Sequence, residues 1–405
     1  MTEPLSTSPE TLAAEATTTF NDLGLQTLLL TAIHALGYQQ PTPIQLAAIP
    51  AILQGRDVVA GAETGSGKTA AFALPLLQRL STTPNTATRS MGNQVRALII
   101  APTRELAVQI GEAIAAYGQY QQPALKVCTV FGGVGLNPQL LALRGGADIV
   151  VATTGRLLDI VQHNGIKFDI LETLVLDEAD KMLGLGFSDE LNQILALLPK
   201  KRQNLLFSAT FPPELSFLIA KLLKNPVEIN IAKRDDSLIE QHVYTVDAER
   251  KNALLIHLIE TGDWQQVLVF ASAKNTCNRL VLKLEKAGIQ AAAFHGDLSQ
   301  SARNNALRDF KARQIRVLIA TDVASRGIDI EQLPYVVNFD LPRSPNDYIH
   351  RIGRTGRAGQ QGQAIALICP DEYAHFQLIE KRMKKRLPRE QVAGFEVSET
   401  GVLGE

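Results

Sequence analysis

Short β-branched apolar runs recur along the chain and alternate with segments of helical period. In the first half they are Asp57–Gly61, Arg96–Ala101, Lys126–Phe131, Ala147–Ala152, Thr173–Asp177, Asn204–Ser208 and Val227–Ile231. Several are continuously apolar rather than alternating, which predicts strands of a parallel sheet covered on both faces. Helical segments such as Glu105–Tyr117 and Asp189–Leu198 lie between them, giving the βαβ rhythm of a doubly wound sheet. The rhythm breaks at the polar stretch Ala232–Ser237. It restarts with Val243–Val246, Val267–Phe270, Ala291–Phe294, Val317–Ala320, Val336–Asn338 and Ala364–Ile368. The fold class is therefore α/β, with two domains, each a mostly parallel sheet with helices on both faces. Residues 1–19 read as a flexible leader, 20–231 as the first domain, 232–241 as a linker, 242–388 as the second domain and 389–405 as a short tail without a recognisable fold. Two such domains on a short linker make a cleft, a natural ligand site.

Composition narrows the classes. The 405 residues are too many for one ordinary core and suit two. Hydrophobic content of 45% and charged content of 20% are those of a soluble globular chain. A net charge of −1 argues against holding nucleic acid by bulk charge, and 5% aromatics argues against broad stacking on bases. The sign is uneven: 16 Lys/Arg face 19 Asp/Glu through Asn230, and 24 face 22 beyond it. The clearest basic patch, Lys381 to Arg386, reads at least as readily as a solvated helix end as it does as a nucleic-acid contact. Cys128, Cys277 and Cys369 have neither zinc-ligand nor redox spacing, so free thiols in a reducing compartment are expected. No apolar run approaches the ~20 residues that span a bilayer, and the N-terminus lacks a basic-then-apolar leader, so a cytoplasmic protein without membrane attachment is expected.

Two motifs carry chemistry without help from any family. The first strand runs into Ala62-Glu63-Thr64-Gly65-Ser66-Gly67-Lys68-Thr69 and then an apolar helix. A glycine-bearing loop between strand and helix aims backbone N–H groups and a helix N-terminus at an anion. Lys68 would reach the β and γ phosphates of a nucleotide and Thr69 would sit on Mg²⁺. Ala62 stands where the strict pattern has glycine. Leu174-Val175-Leu176 then ends in Asp177-Glu178-Ala179-Asp180, which puts carboxylates at the carboxyl edge of the sheet beside the phosphates. Asp177 suits Mg²⁺, and Glu178 can orient and polarise an attacking water.

Residues 177–180 spell DEAD, and from about Phe20 to about Lys385 the chain resembles the DEAD-box RNA helicases of superfamily 2, most nearly the bacterial RhlE-type subgroup. The resemblance implies two RecA-like domains, ATP and Mg²⁺ as cofactors, and RNA as partner. Gly37–Gln45 resembles the family's adenine-reading element. Gln45 would pair with the base as an amide pairs with adenine in DNA, and Tyr38 or Phe20 would pack on it. Ser208-Ala209-Thr210 resembles the element that couples ATP to strand separation through Asp180. In the second half the resemblance gives Asp329 the ribose, places His350 near the γ-phosphate and makes Arg354 and Arg357 arginine fingers. A basic RNA-facing helix is the competing reading of those arginines.

The elements Pro102-Thr103-Arg104, Gly132-Gly133, Thr154-Gly155-Arg156, Ser272, Arg303 and Thr321-Asp322 resemble those that hold RNA. They offer hydroxyls, amides and single arginines, suited to phosphates and sugars rather than base edges. Thr154, where the family usually has Pro, Lys181 for Arg and Gly184 for Asp are departures that affect tuning and not activity. The expectation is an RNA-stimulated ATPase and helicase, monomeric, with ribosomal or RNA-decay proteins as partners. An ATP-gated RNA clamp and a DNA-directed translocase are the rival readings.

Overall fold

A computed structural model describes residues 18–62, 65–83, 92–231, 238–322, 333–356 and 361–398. The leader through residue 17, Thr64, the stretch 232–237, Asp329 and Arg357 lie outside the described residues.

The first sheet has seven strands: β1 (Val58–Gly61), β2 (Val95–Ile100), β3 (Val127–Val130), β4 (Ala147–Ala152), β5 (Thr173–Leu176), β6 (Gln203–Ser208) and β7 (Val227–Asn230). All pairings are parallel, in the order β3-β4-β2-β5-β6-β1-β7. Alternate residues of one apolar run serve opposite cores: Ala97 and Ile99 of β2 join one cluster, Leu98 and Ile100 the other. This two-sided burial is why the strands read as continuous apolar runs.

The second sheet has six parallel strands, β8 (Ile239–Thr245), β9 (Val267–Phe270), β10 (Ala291–Phe294), β11 (Val317–Ala320), β12 (Tyr335–Asn338) and β13 (Gly362–Ile368), ordered β10-β11-β9-β12-β13-β8.

Two sequence expectations change. Strand β8 begins at Ile239, inside the expected linker. Its Glu240-Gln241-His242 run hides it, because β8 is the sheet's edge and only pairing with β13 reveals it. The tail is also docked as far as residue 398. Glu390 N donates to Val243 O at 2.8 Å, Thr245 N donates to Glu390 O at 2.9 Å, and Val392 and Phe395 pack on the domain core. The tail thus covers an open strand edge, which would otherwise present unpaired amides. All three cysteines are free and buried, and among the described residues no helix is long and apolar enough to cross a membrane.

Arg96 shows how polar groups are handled at the start of β2. Its side chain is 3% exposed; Nε donates to Glu172 at 2.7 Å, Nη1 to Leu80 O at 3.0 Å and to Asp148 at 3.4 Å, and Nη2 to Thr83 O at 3.2 Å. Removing one partner of such a buried set strands the others. Arg96→Leu should cost the first domain about 3 kcal/mol, read as a lower denaturant midpoint with unchanged slope; an unshifted midpoint would show the network to be dispensable.

Candidate active site

Three neighbouring strands deliver the chemistry to one edge. Gly61 lies opposite Ser208 and Leu176 opposite Leu206, so β1, β6 and β5 end together. The phosphate loop leaves β1, Asp177-Glu178 leaves β5 and Ser208 closes β6.

In the loop, Gly67 has φ +92°, and a Cβ there would lie 2.5 Å from Gln45 Nε2 and 3.0 Å from Thr42 Oγ1. Only glycine lets the loop sit this close to the start of the helix Pro43–Leu53. Gln45 is 1% exposed; its Oε1 accepts from Thr42 N at 2.9 Å and its Nε2 donates to Gly67 O at 3.2 Å. The residue expected to read the base therefore also holds the phosphate loop. Phe20 is 1% exposed and meets Tyr38 edge-on at 6.2 Å, while the half-buried Tyr38 shares a hydroxyl hydrogen bond with Tyr117. Of the two aromatics Tyr38 is the more accessible. Gly65, Ser66 and Thr69 are exposed or half-buried at the mouth of the helix Lys68–Thr82, and Lys68 Nζ donates to Ala62 O at 2.8 Å.

The acidic pair is buried and strained. Glu178 has φ +52° and ψ +48°, a left-handed conformation that costs a non-glycine residue about 1–3 kcal/mol and turns the chain from strand to helix. Its N–H donates to Asp177 Oδ1 at 2.9 Å. Burial pushes the Asp177 carboxyl up to about 6; Lys68 pulls it down, and the Glu178 charge adds to the rise. Burial also works to raise Glu178, but Lys181 and Lys68, with Arg354 behind them, hold it below the ordinary glutamate value. Lys181 Nζ, on the helix Ala179–Gly184, donates to Glu178 Oε1 at 2.8 Å.

The residues present fit a magnesium ion. A buried carboxylate with its charged form under strain and a hydroxyl at Thr69 are hard oxygen donors, and such an ion takes its remaining ligands from phosphates and water. Among the described residues no group of three His, Cys, Asp or Glu is placed to hold a metal without them.

Asp180, Ser208 and Thr210 form one network. Asp180 Oδ2 accepts from Thr210 N at 3.0 Å and from Thr210 Oγ1 at 2.6 Å; Asp180 N donates to Ser208 Oγ at 3.3 Å, which donates to Thr210 O at 2.7 Å.

The second domain faces this edge. His350 and Arg351 ride on the helix Pro345–Ile352, with Arg354 just beyond it and 6% exposed. His350, Arg351, Arg354 and Asp322 line a cavity of about 20 Å³ together with Lys181 of the first domain. His350 is pushed below the usual histidine value by burial and then by Lys181, against the pull of Asp180. Asp322, expected against RNA, holds Arg351 through two bonds of 2.6 and 2.7 Å. Arg351 Nη1 also reaches Asn338 Oδ1 at 2.9 Å, and its guanidinium lies 4.9 Å from the Phe270 ring centre.

At the cleft's other rim, Thr103 caps the helix Arg104–Tyr117. A Cβ on Gly133 would run into the Arg104 guanidinium, so Gly132 and Gly133 leave room for it. Pro102 is buried, and so is Thr154, at the first position of the helix Thr154–Gln162. That is where proline suits a helix because its missing N–H is not needed, so threonine there keeps the element intact. Gly155 is exposed, and Arg156 Nη2 donates to Val134 O at 3.0 Å. Ser272 donates to Asp340 Oδ2 through its N–H (2.8 Å) and its Oγ (2.9 Å), and Thr321 is buried at the end of β11. Arg303 crosses to the other domain: its Nη2 lies 2.9 Å from Glu105 Oε1, both side chains buried, and Gln300 Nε2 donates to the same oxygen at 3.1 Å. Lys181 and Arg351 were not among the expected site residues, and the pairing of Glu105 with Gln300 and Arg303 was not expected. Glu105 in a first helical turn reads as a dipole complement, and nothing in its spacing points to a partner about 200 residues away.

The Asp177 shift has a thermodynamic consequence. A carboxyl raised from 3.8 to about 6 on folding binds its proton more tightly in the folded chain, so stability falls as pH rises from about 4 through 6 and stays low above. Asp177→Asn should therefore stabilise the nucleotide-free protein at pH 7.5 by about 2–3 kcal/mol while removing ATP turnover. Melting curves at pH 7.5 and near pH 4.5 test this; the gain should shrink at the lower pH, and equal melting at both would count against the strained carboxylate.

Residues 42–218 match the DEAD/DEAH box helicase family and residues 250–359 the helicase conserved C-terminal domain. The chain is 41% identical over 381 residues to the DEAD-box ATP-dependent RNA helicase CshA of Streptococcus pneumoniae, covering 94% of this chain and 71% of that protein. It is 38% identical over 374 residues to a Bacillus cereus protein of the same name, covering 92% and 69%. These relatives carry the CshA name and not that of the RhlE-type subgroup. Its fold is similar to that of S. cerevisiae Dbp5 bound to RNA and ADP BeF3, with TM-score 0.78 and 31% identity over 92% of this chain and 95% of that one. It is also similar to Mss116p bound to ssRNA and AMP-PNP, with TM-score 0.82 and 29% identity over 95% and 81%. With its two parallel sheets, its strand-edge phosphate loop and its DEAD carboxylates, the chain belongs to the DEAD-box family of ATP-dependent RNA helicases.

Proposed function

We propose that the protein binds ATP and RNA across the cleft and couples ATP hydrolysis to local unwinding of RNA duplexes. The observation that carries this reading is that Arg354 of one domain lines one cavity with Lys181 of the other and acts on the buried Glu178 carboxylate that Lys181 holds. Guanidinium groups supplied across a closing cleft stabilise charge on the transferred phosphoryl, worth about 10³–10⁵ in rate, so hydrolysis depends on closure. Gly65, Ser66, Gly67 and Lys68 would hold the phosphates, and Gln45 and Tyr38 the base. Glu178 orients the attacking water, and Arg354 and His350 approach the γ-phosphate. Thr69 and Asp177 would hold Mg²⁺, which supplies charge neutralisation on the phosphates. Thr64, Asp329 and Arg357 complete the set.

On the RNA rim, Arg104 with Gly132-Gly133, Thr103, Thr154-Gly155-Arg156, Ser272 and Thr321 offer amides, hydroxyls and guanidinium groups to a sugar-phosphate backbone. The Arg303–Glu105 pair would serve RNA indirectly, by fixing the two domains in the orientation that completes the groove. The Asp180–Ser208–Thr210 network links the two rims. One strand bent on this surface loses its A-form pairing, and hydrolysis reopens the cleft. The reading includes a cytoplasmic monomer acting with ribosomal or RNA-decay proteins. An ATP-gated clamp uses the same residues and is favoured only if the ATP-bound RNA complex outlives strand separation.

RNA-stimulated ATPase activity should fall by about 10³ or more in Lys68→Ala, Glu178→Gln and Arg354→Ala proteins, with melting temperatures near the parent's. Retention of full stimulated activity in all three would overturn the proposal, and equal stimulation by DNA would overturn the choice of RNA.

A further inference from the structure

We propose that a basic cavity at the far end of the second domain is a second RNA-binding site, outside the cleft, that holds the phosphate backbone of a flanking single strand. The cavity, about 750 Å³, lies between the end of the helix Tyr373–Met383 and the chain that turns back from it. Its lining includes Lys381, Lys384, Lys385, Arg386 and Arg389, with Glu380 as its only acid.

That acid is already satisfied. Arg389 grips both Glu380 oxygens at 2.9 Å, and Leu387 N donates to Oε1 at 2.8 Å. The ion pair fixes the returning loop and consumes Arg389. Among the described residues no ion pair involves Lys381, Lys384, Lys385 or Arg386, and three of these lie on consecutive residues. Lys384 caps the helix in a left-handed conformation, φ +55°, with Lys385 N donating to Glu380 O at 3.2 Å. This turn brings the four cations around one hollow.

A helix C-terminus favours one or two cations by its dipole. Four unpaired ones around a concavity repel each other, and in a protein of net charge −1 they mark a place for an anion with several charges. Tyr373 and Gln377 stand eight and four residues before Lys381, on the same helix face and in the same lining. They add a ring on which a base can stack and an amide that can donate to a phosphate. The volume is that of a site for a molecule the size of a nucleotide or two.

RNA is the polyanion the arrangement favours. The inference rests on the RNA reading of the cleft: a strand held there presents its own flank at high effective concentration. The basic helix also packs on the helix of His350 and Arg351, through Tyr348 against Phe376 at 5.6 Å and Arg382 Nε donating to Asn346 at 2.7 Å. A flank bound in the hollow is thereby tethered to the domain that carries Arg354.

The test is a full-length variant with Lys381→Ala, Lys384→Asn, Lys385→Ala and Arg386→Ala; asparagine keeps the left-handed cap. RNA-stimulated ATPase is measured with an RNA just long enough to cross the cleft and with one bearing a long single-stranded extension. The KM for the extended RNA should rise about ten-fold with kcat unchanged, and the KM for the short RNA should not move. Loss of four phosphate contacts should make log affinity for the extended RNA less dependent on log salt by about 2–3. A variant with arginine at 381, 384 and 385 keeps the charge and should behave as the parent. Parent-like binding of the extended RNA by the four-site variant, or equal loss for both RNAs, would overturn the site. If neither RNA stimulated the unaltered chain, the RNA reading of the cleft would itself fall, and this inference with it.

Discussion

Everything in the cleft depends on two adjacent carboxylates, Asp177 and Glu178, buried at the end of one strand. Unpaired buried charge is prohibitively costly, so the surroundings must supply positive groups. Lys68 and Lys181 do so from within the first domain, and Arg354 adds to the same field from the second. The balance is incomplete at Asp177, whose carboxyl is pushed up to about 6, and more than complete at Glu178. One carboxylate is thus held under strain while its neighbour is kept ionised. Lys181, a departure from the family's arginine, bonds Glu178 directly and lines the cavity with His350 and Arg354.

Two contacts between the domains differ in chemistry. Beside the acidic pair the contact is among cations and carboxylates, with Lys181 of one domain and Asp322, His350 and Arg354 of the other lining one cavity. At the other place it is the buried Glu105–Arg303 pair with Gln300. A buried ion pair adds little net stability but penalises every arrangement that separates it. Such a pair fixes relative orientation, which is what a groove assembled from two domains requires. Asp180, tied to Ser208 and Thr210 in the first domain, acts on His350 of the second.

Much of this was legible in the residues. The apolar runs located nearly every strand because two-sided burial leaves few polar positions in a central strand, as in Leu98–Ile100. The phosphate loop and the acidic strand end were readable because their chemistry is local: backbone amides, one lysine and carboxylates at a strand terminus. The first residues of β8 and the docked tail were not. Strand β8 carries Glu240, Gln241 and His242, and residues 389–398 show only Val392 and Phe395 as apolar anchors, so both depend on a partner edge that no local pattern reveals.

By itself the sequence determined two α/β halves, the glycine-bearing loop and the acidic edge. Each of these follows from burial periodicity or from groups within a few positions of each other. Only the tertiary structure decided which charges neutralise which. Arg303 went to Glu105 and Asp322 to Arg351, while Lys181 went to Glu178. Four basic residues, Lys381, Lys384, Lys385 and Arg386, were left around a hollow. Charges interact through space, and a chain pattern does not say how far apart two residues lie once the sheets have closed.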